Sequence, residues 1–76
     1  MQIDDDAWLR DYSRTVAHRV RRLRAVRGLT QEGLYLRAGI SRDVMQKVES
    51  GGHNPTLYTL LKIAKALGVP VAELLE

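Results

Sequence analysis

The sequence predicts an all-α fold, with five short helices around one small core. Its 76 residues suffice for a single domain. No window keeps the apolar–polar alternation of a strand, and the Asn-Gly and Asp-Gly pairs that favour tight hairpins do not occur. Apolar residues recur instead at every third or fourth position, in segments that glycine or proline separates.

The longest predicted helix comes first and runs from about Asp6 to Arg27, where Gly28 ends it. Trp8, near its start, either covers the core of its own domain, which we favour, or meets a second subunit. The apolar positions of this helix are spaced by three to four residues and share one face: Tyr12, Val16, Val20 and Leu23.

Hydroxyl residues precede the next three helices. Thr30, Ser41 and Thr56 can each accept a hydrogen bond from a backbone N–H of the first helical turn. The helices that they begin are predicted over residues 31–38, 41–50 and 57–67. The last of these has an apolar stripe at Leu57, Leu60, Leu61, Ala64 and Leu67. Pro70 then begins a fifth short helix, whose apolar residues are Val71, Leu74 and Leu75.

Positive charge is concentrated in the middle of the chain. The whole chain has a formal net charge of +3, yet residues 10–47 hold ten basic and three acidic residues, a local balance of +7. Such a concentration suggests a polyanionic partner. A helix face of solvated arginines is an equally good interpretation of the charge taken alone.

The composition argues against several classes of function. Without cysteine the chain has no disulfide, thiol chemistry or Cys-ligated zinc, and two histidines are too few for a His-built metal site. No segment approaches the ~20 apolar residues of a membrane span, and the acidic start at residues 4–6 is unlike a signal peptide. Nothing arranges serines, histidines and aspartates in a pocket. We therefore expect a cytoplasmic protein that is not an enzyme and holds no metal or cofactor.

Residues 31–50 are typical of two short helices joined by a tight turn at 38–41. The second of two helices joined in this way lies nearly perpendicular to the first and projects from the surface, where it fits the ~12 Å major groove of B-DNA. Met45 and Val48 face inward in this arrangement. The outward residues are Arg42, Asp43, Val44, Gln46 and Lys47. Arginine, lysine and glutamine can bind base edges, whereas Asp43 either accepts from cytosine or caps the helix start.

Several segments, in the right order and spacing, resemble the helix-turn-helix domain of lambda-repressor/Cro-type (XRE) transcriptional regulators. The similarity covers about Val16 to Leu75. The segments that carry it are VRRLR at 20–24, GLTQE at 28–32, AGIS at 38–41, VESG at 48–51, NPTL at 54–57 and LLKIAKALGV at 60–69.

The resemblance implies a five-helix DNA-binding domain and roles for particular residues. Gln31 would bind a phosphate and buttress the recognition helix. Arg24 and Glu49 would form an ion pair between the first and third helices. The base-facing positions would be Arg42, Asp43, Val44, Gln46 and Lys47. The positions that face backbone phosphate after the recognition helix would be Ser50, His53 and Asn54.

Two residues depart from the family pattern. Tyr35 stands where a small residue, commonly alanine, lets the two helices approach closely, and Gly33 replaces a commoner glutamate. A ring that overpacks such a site costs ~1–3 kcal/mol unless it escapes to the side. An unusual angle of the recognition helix is therefore expected, although neither change removes a DNA-facing group.

Together these features predict a sequence-specific binder of double-stranded DNA that regulates transcription by occupying its operator, either as a repressor that blocks polymerase or as an activator that recruits it. The helix-turn-helix domain would span residues 13–76, with residues 1–12 as an extension of the first helix. A homodimer would bind a palindromic operator, with recognition helices ~34 Å apart. The residues predicted to join the subunits are those of the C-terminal helix, Val71, Leu74 and Leu75. The alternative is an antitoxin-like module that binds a partner protein through the first helix and DNA only weakly.

Overall fold

The structure is a computed structural model that describes residues 6–52 and 54–76. Over these residues the chain forms four α-helices and one turn of 3₁₀ helix, with no strand. The elements are α1 (Ala7–Val26), α2 (Gln31–Ala38), α3 (Arg42–Ser50), α4 (Leu57–Leu67) and the 3₁₀ turn (Val71–Leu74). The all-α class is therefore confirmed. The count of five helices is not, because the last segment closes through i→i+3 hydrogen bonds, such as Glu73 N–H to the Pro70 carbonyl at 3.0 Å.

Local side-chain chemistry begins three of the helices where it was predicted to. The hydroxyls of Thr30, Ser41 and Thr56 accept hydrogen bonds from backbone N–H groups three residues onward, at 2.9, 3.1 and 3.1 Å respectively. Each bond satisfies one of the donors that a helix start leaves unpaired. Glycine ends α2, because Gly39 adopts the left-handed conformation (φ 71°) that turns the chain into α3.

One hydrophobic core joins all five elements. Its largest fully buried side chains are Val20, Leu34, Met45, Val48, Ile63, Leu67 and Leu74. The predicted stripe on α4 is wrong at two positions, since Leu57 is 63% exposed and Leu61 is 46% exposed. The buried face of α4 centres on its other apolar residues, including Ile63, and these two leucines lie at its edge.

The C-terminal turn belongs to the core more than to the surface. Leu74 is fully buried and Val71 is half-buried, whereas Leu75 is 39% exposed. The prediction that Leu74 joins a second subunit is therefore wrong, because its side chain is already covered by its own domain. Of the three residues predicted for the interface, Leu75 alone is exposed.

The first half of α1 extends beyond the core. The molecule measures 46 × 23 × 19 Å, and the 20 residues of α1 make a helix ~30 Å long at ~1.5 Å per residue. Trp8 and Tyr12 are 58% and 51% exposed, and their rings form an edge-to-face pair with centroids 6.0 Å apart. Packing of Trp8 into the core, the favoured prediction, is therefore wrong. Among the described helices, none is long and apolar enough to cross a membrane.

Candidate nucleic-acid interface

Helix α3 has one buried face and one exposed face. Met45 and Val48 are 0% and 1% exposed and anchor the helix on the core. On the opposite side the structure leaves the side chains of Arg42, Gln46 and Lys47 exposed. This arrangement matches the predicted orientation and offers guanidinium, amide and ammonium donors to the surroundings.

Two other predicted base-facing residues have partners within the protein. Val44 is half-buried and packs against the core, so its side chain points outward less than was predicted. Asp43 forms a 3.1 Å ion pair with Lys47 one helical turn onward, and both side chains are mostly exposed. This exposed pair neutralises one cation of the outer face.

Arg24 and Glu49 form a bidentate ion pair between α1 and α3. Arg24 Nε lies 2.8 Å from Glu49 Oε2, and Arg24 Nη2 lies 3.1 Å from Glu49 Oε1. Glu49 is 6% exposed and Arg24 is 23% exposed, so the pair is largely shielded from water. A buried carboxylate of this kind tolerates its environment because two parallel N–H donors meet both of its oxygens.

Gln31 extends this pair to α2. Its Nε2 donates to Glu49 Oε1 at 3.2 Å, while Arg24 Nη1 donates to the Leu29 carbonyl at 3.1 Å. The end of α3 is thus held to α1 and to the start of α2 through one carboxylate. The buttressing role implied for Gln31 has this geometric basis.

Two arginines make structural contacts that the sequence analysis missed. Arg21 Nη1 donates to the backbone carbonyl of Glu49, and Arg27 Nε donates to the Leu67 carbonyl at 2.9 Å. Both acceptors are carbonyls at helix ends, which attract cations. Arg21 lies three residues before Arg24 on the same helix face, and that spacing was the available signal. Nothing in the sequence distinguishes the acceptor of Arg27.

The end of α3 and the segment after it contain the residues predicted to face phosphate. Ser50 is exposed, and its hydroxyl donates to the Lys47 carbonyl at 2.8 Å and accepts from Gly52 N–H at 3.3 Å. Asn54 is also exposed, and His53 lies outside the described residues. Ser50 therefore serves first to close the end of the helix.

Tyr35 and Gly33, the two departures from the family pattern, lie in different surroundings. The Tyr35 ring is half-buried and packs at the edge of the core. Gly33 donates its N–H to Thr30 Oγ1 at 2.9 Å, in the third position of α2. Across the residues described, no three histidine, cysteine, aspartate or glutamate side chains are grouped so that they could hold a metal ion.

The fold and this site define a helix-turn-helix protein. A model of the helix-turn-helix family matches residues 20–74, which is most of the chain. The chain therefore belongs to this family, of lambda-repressor/Cro (XRE) type, and is a DNA-binding transcriptional regulator. This finding favours the regulator over the antitoxin-like interaction module.

Similar proteins are regulators and controllers by name. The chain is 42% identical over 64 residues to an uncharacterized HTH-type transcriptional regulator, y4dJ, of Sinorhizobium fredii, covering 84% of this chain and 83% of that protein. The chain is also 40% identical to the immunity repressor of Bacillus phage phi105. That match spans 58 residues, which are 76% of this chain and 40% of the repressor. The crystal structure of the restriction-modification controller protein C.AhdI from Aeromonas hydrophila superposes with a TM-score of 0.78 at 37% identity, over 82% of this chain and 94% of that one.

Proposed function

We propose that this regulator reads a specific duplex sequence by inserting α3 into the major groove, and that it represses transcription by occupying that site. One observation carries the proposal: a short helix exposes Arg42, Gln46 and Lys47 while its other face is fixed to the core. A rigidly held helix loses little conformational freedom on binding.

The outer face of α3 supplies the chemistry for base recognition. Arg42 and Gln46 are one turn apart, so their forked donors can reach neighbouring base pairs, the guanidinium at guanine and the amide at adenine. Lys47 and Asp43 enter the groove as a pair, with the carboxylate accepting from cytosine N4. The exposed part of Val44 can contact a thymine methyl group.

Backbone contacts flank these base contacts. Gln31 lies at the start of α2. Ser50 is the last residue of α3, and His53 and Asn54 follow it, so the two groups lie on either side of the outer face of α3 in sequence. Hydroxyl, amide and imidazole donors of this kind commonly bind phosphate oxygens and set the register of a protein on DNA. We assign this activity to residues 13–76, with residues 1–12 as the N-terminal extension.

A homodimer on a palindromic operator completes the proposal. Leu75 lies beside Trp8 and Tyr12 in a shallow groove between the start of α1 and the C-terminus. These three exposed apolar side chains, here called the aromatic flank, replace the interface predicted around Leu74. Two-fold pairing would set the half-sites about one DNA turn apart, ~34 Å. The protein would act in the cytoplasm on DNA, without a cofactor and without catalysis.

The test is selection of bound sequences from a random duplex pool, followed by footprinting. We expect one enriched motif with two-fold symmetry. Gln46→Ala and Arg42→Ala should each weaken binding to that motif by ~1–3 kcal/mol and relax base choice at one position of the half-site.

Arg37→Ala is the matched control for Arg42→Ala, because Arg37 is exposed and lines a groove with Lys62 and Lys65, away from α3. The control should leave base choice unchanged. Equal losses on the selected motif and on random DNA for Gln46→Ala and Arg42→Ala would contradict base reading by α3.

A further inference from the structure

Four arginines share one side of α1. Arg10, Arg14, Arg21 and Arg24 follow a spacing of four, seven and three residues, which keeps them on one face at 3.6 residues per turn. Ala17 lies on the same face, three residues after Arg14 and four before Arg21, and is 2% exposed. This arginine row lies on the side of α1 that meets the end of α3, because Arg21 and Arg24 both bind Glu49.

Within the arginine row, Arg14 is placed differently from Arg21 and Arg24. Its side chain is exposed, and its guanidinium makes no hydrogen bond or ion pair with the described residues. The stem of Arg14 lies against Gly51, where a methyl group in place of the glycine hydrogen would sit 3.6 Å from both Cα and Cγ of the arginine. The arginine is thus held at the loop that follows α3, with its charge available.

Arg14 borders a groove of about 670 Å³ between α1 and that loop. Arg10, Ser13 and Arg14 line the α1 side, whereas Ser50, Gly51, Gly52 and Asn54 line the loop side. Leu9 and Asp6 complete the lining, and Asp6 limits the positive charge at the far end. Guanidinium, hydroxyl, amide and backbone groups in one groove are the set that proteins use to bind DNA phosphates.

We propose that Arg14, with Ser13 and the loop at Ser50 and Asn54, binds a phosphate of the DNA backbone next to the half-site read by α3. The proposal rests on the proposed function, since it places a second contact on the same DNA. Ten residues separate Arg14 from Arg24, so the contact extends the basic surface by ~15 Å along α1. Ser13 and Arg14 lie outside residues 20–74, where the family model matches.

The experiment measures binding of the full chain to its selected site and to random duplex over a series of salt concentrations. Arg14→Gln should weaken binding about fivefold on both DNAs near 0.1 M salt, because a phosphate contact is blind to sequence. The slope of log K against log salt should become shallower by about 0.9. Arg14→Lys should restore most of the slope, since a point charge suffices.

Arg19→Gln is the matched control. It removes the same charge from the same helix, but Arg19 lines a groove with Glu73 and Glu76 on the other flank of α1. Its salt slope and affinity should equal those of the wild type, and both variants should unfold at the wild-type temperature.

The outcomes separate the two claims. A wild-type chain that selects no site and shows no salt dependence overturns the proposed function and this contact with it. A wild-type chain that reads its site, with Arg14→Gln unchanged in slope or no different from Arg19→Gln, overturns the Arg14 contact alone.

Discussion

Glu49 is the one charged side chain that is buried in the described part of the chain. Its carboxylate receives two hydrogen bonds from Arg24 and one from Gln31, and its backbone carbonyl receives one from Arg21. A single residue near the end of the recognition helix therefore binds α1 and α2 at once. The position of α3, and with it the direction in which Arg42 and Gln46 project, depends on this carboxylate.

Removal of Arg24 should therefore destabilise the domain. Arg24→Ala leaves the Glu49 carboxylate buried with Gln31 as its remaining side-chain donor, and an uncompensated buried charge of this kind costs ~3–5 kcal/mol. Because Arg24 keeps 23% of its surface exposed, we expect the lower end of that range. Urea denaturation measures the loss, and binding to the selected DNA should weaken in parallel.

The exposed pair on α3 offers the comparison for Arg24→Ala. Asp43→Ala removes an ion pair of similar N···O distance, but one that water screens, so the expected change in unfolding free energy is at most ~0.5 kcal/mol. If Asp43→Ala and Arg24→Ala cost the same, shielding of the Arg24–Glu49 pair is not what makes it important.

For single residues, the sequence predicted a contact correctly where both partners are side chains that match positions of the family pattern. The Arg24–Glu49 pair is of this kind, and the resemblance implied it. Arg21 and Arg27 instead bind backbone carbonyls, and every residue has a carbonyl. The partner of such an arginine depends on which helix end the fold brings near, which requires the tertiary structure.

For single helices, contacts between residues close in sequence determine where each helix begins, whereas the face that a helix buries depends on the tertiary fold. The caps Thr30, Ser41 and Thr56 act within three residues, so they could be predicted without the tertiary fold. The buried side of α4 could not, because several leucines offered more than one apolar face. Packing of α2, α1 and the C-terminal turn around α4 selected the side with Ile63 and left Leu57 exposed.

Two glycines, one inside α2 and one directly after it, give a matched test of this local control. Gly33 lies inside the helix, and Gly33→Ala should raise the unfolding free energy by ~0.5–1 kcal/mol through helix propensity. The added methyl group would sit 3.2 Å from Thr30 Oγ1, and this exposed hydroxyl can shift by a few tenths of an ångström.

The same substitution at Gly39 should have the opposite sign. Nothing lies within 4 Å of the added methyl group there, but the backbone φ of +71° costs an L-residue ~1–2 kcal/mol. Thermal unfolding of the two variants gives the comparison. A loss of stability in Gly33→Ala would mean that the Thr30 contact outweighs the gain in propensity.

Across the whole molecule, α1 separates two surfaces of different chemistry. The arginine row follows the side of α1 next to α3, whereas Trp8 and Tyr12 lie with Leu75 toward the C-terminal turn. Tyr12 and Arg14 are two residues apart, which is ~200° around the helix axis. A second subunit on the aromatic flank would therefore leave the DNA-facing side of each α1 uncovered. One long helix can in this way serve both the proposed dimer and the proposed operator.

The dimer can be tested through these exposed apolar side chains. Trp8→Ala and Leu75→Ser should each raise the dimer dissociation constant by at least tenfold in sedimentation equilibrium, since each removes part of an apolar surface worth ~25 cal/mol per Å² buried. Operator binding should weaken with them, and binding to an isolated half-site should not. Leu61→Ser removes a comparable exposed leucine from α4 and should leave the dimer intact. If Leu61→Ser dissociates the dimer and Leu75→Ser does not, the interface lies at the exposed edge of α4 and not at the aromatic flank.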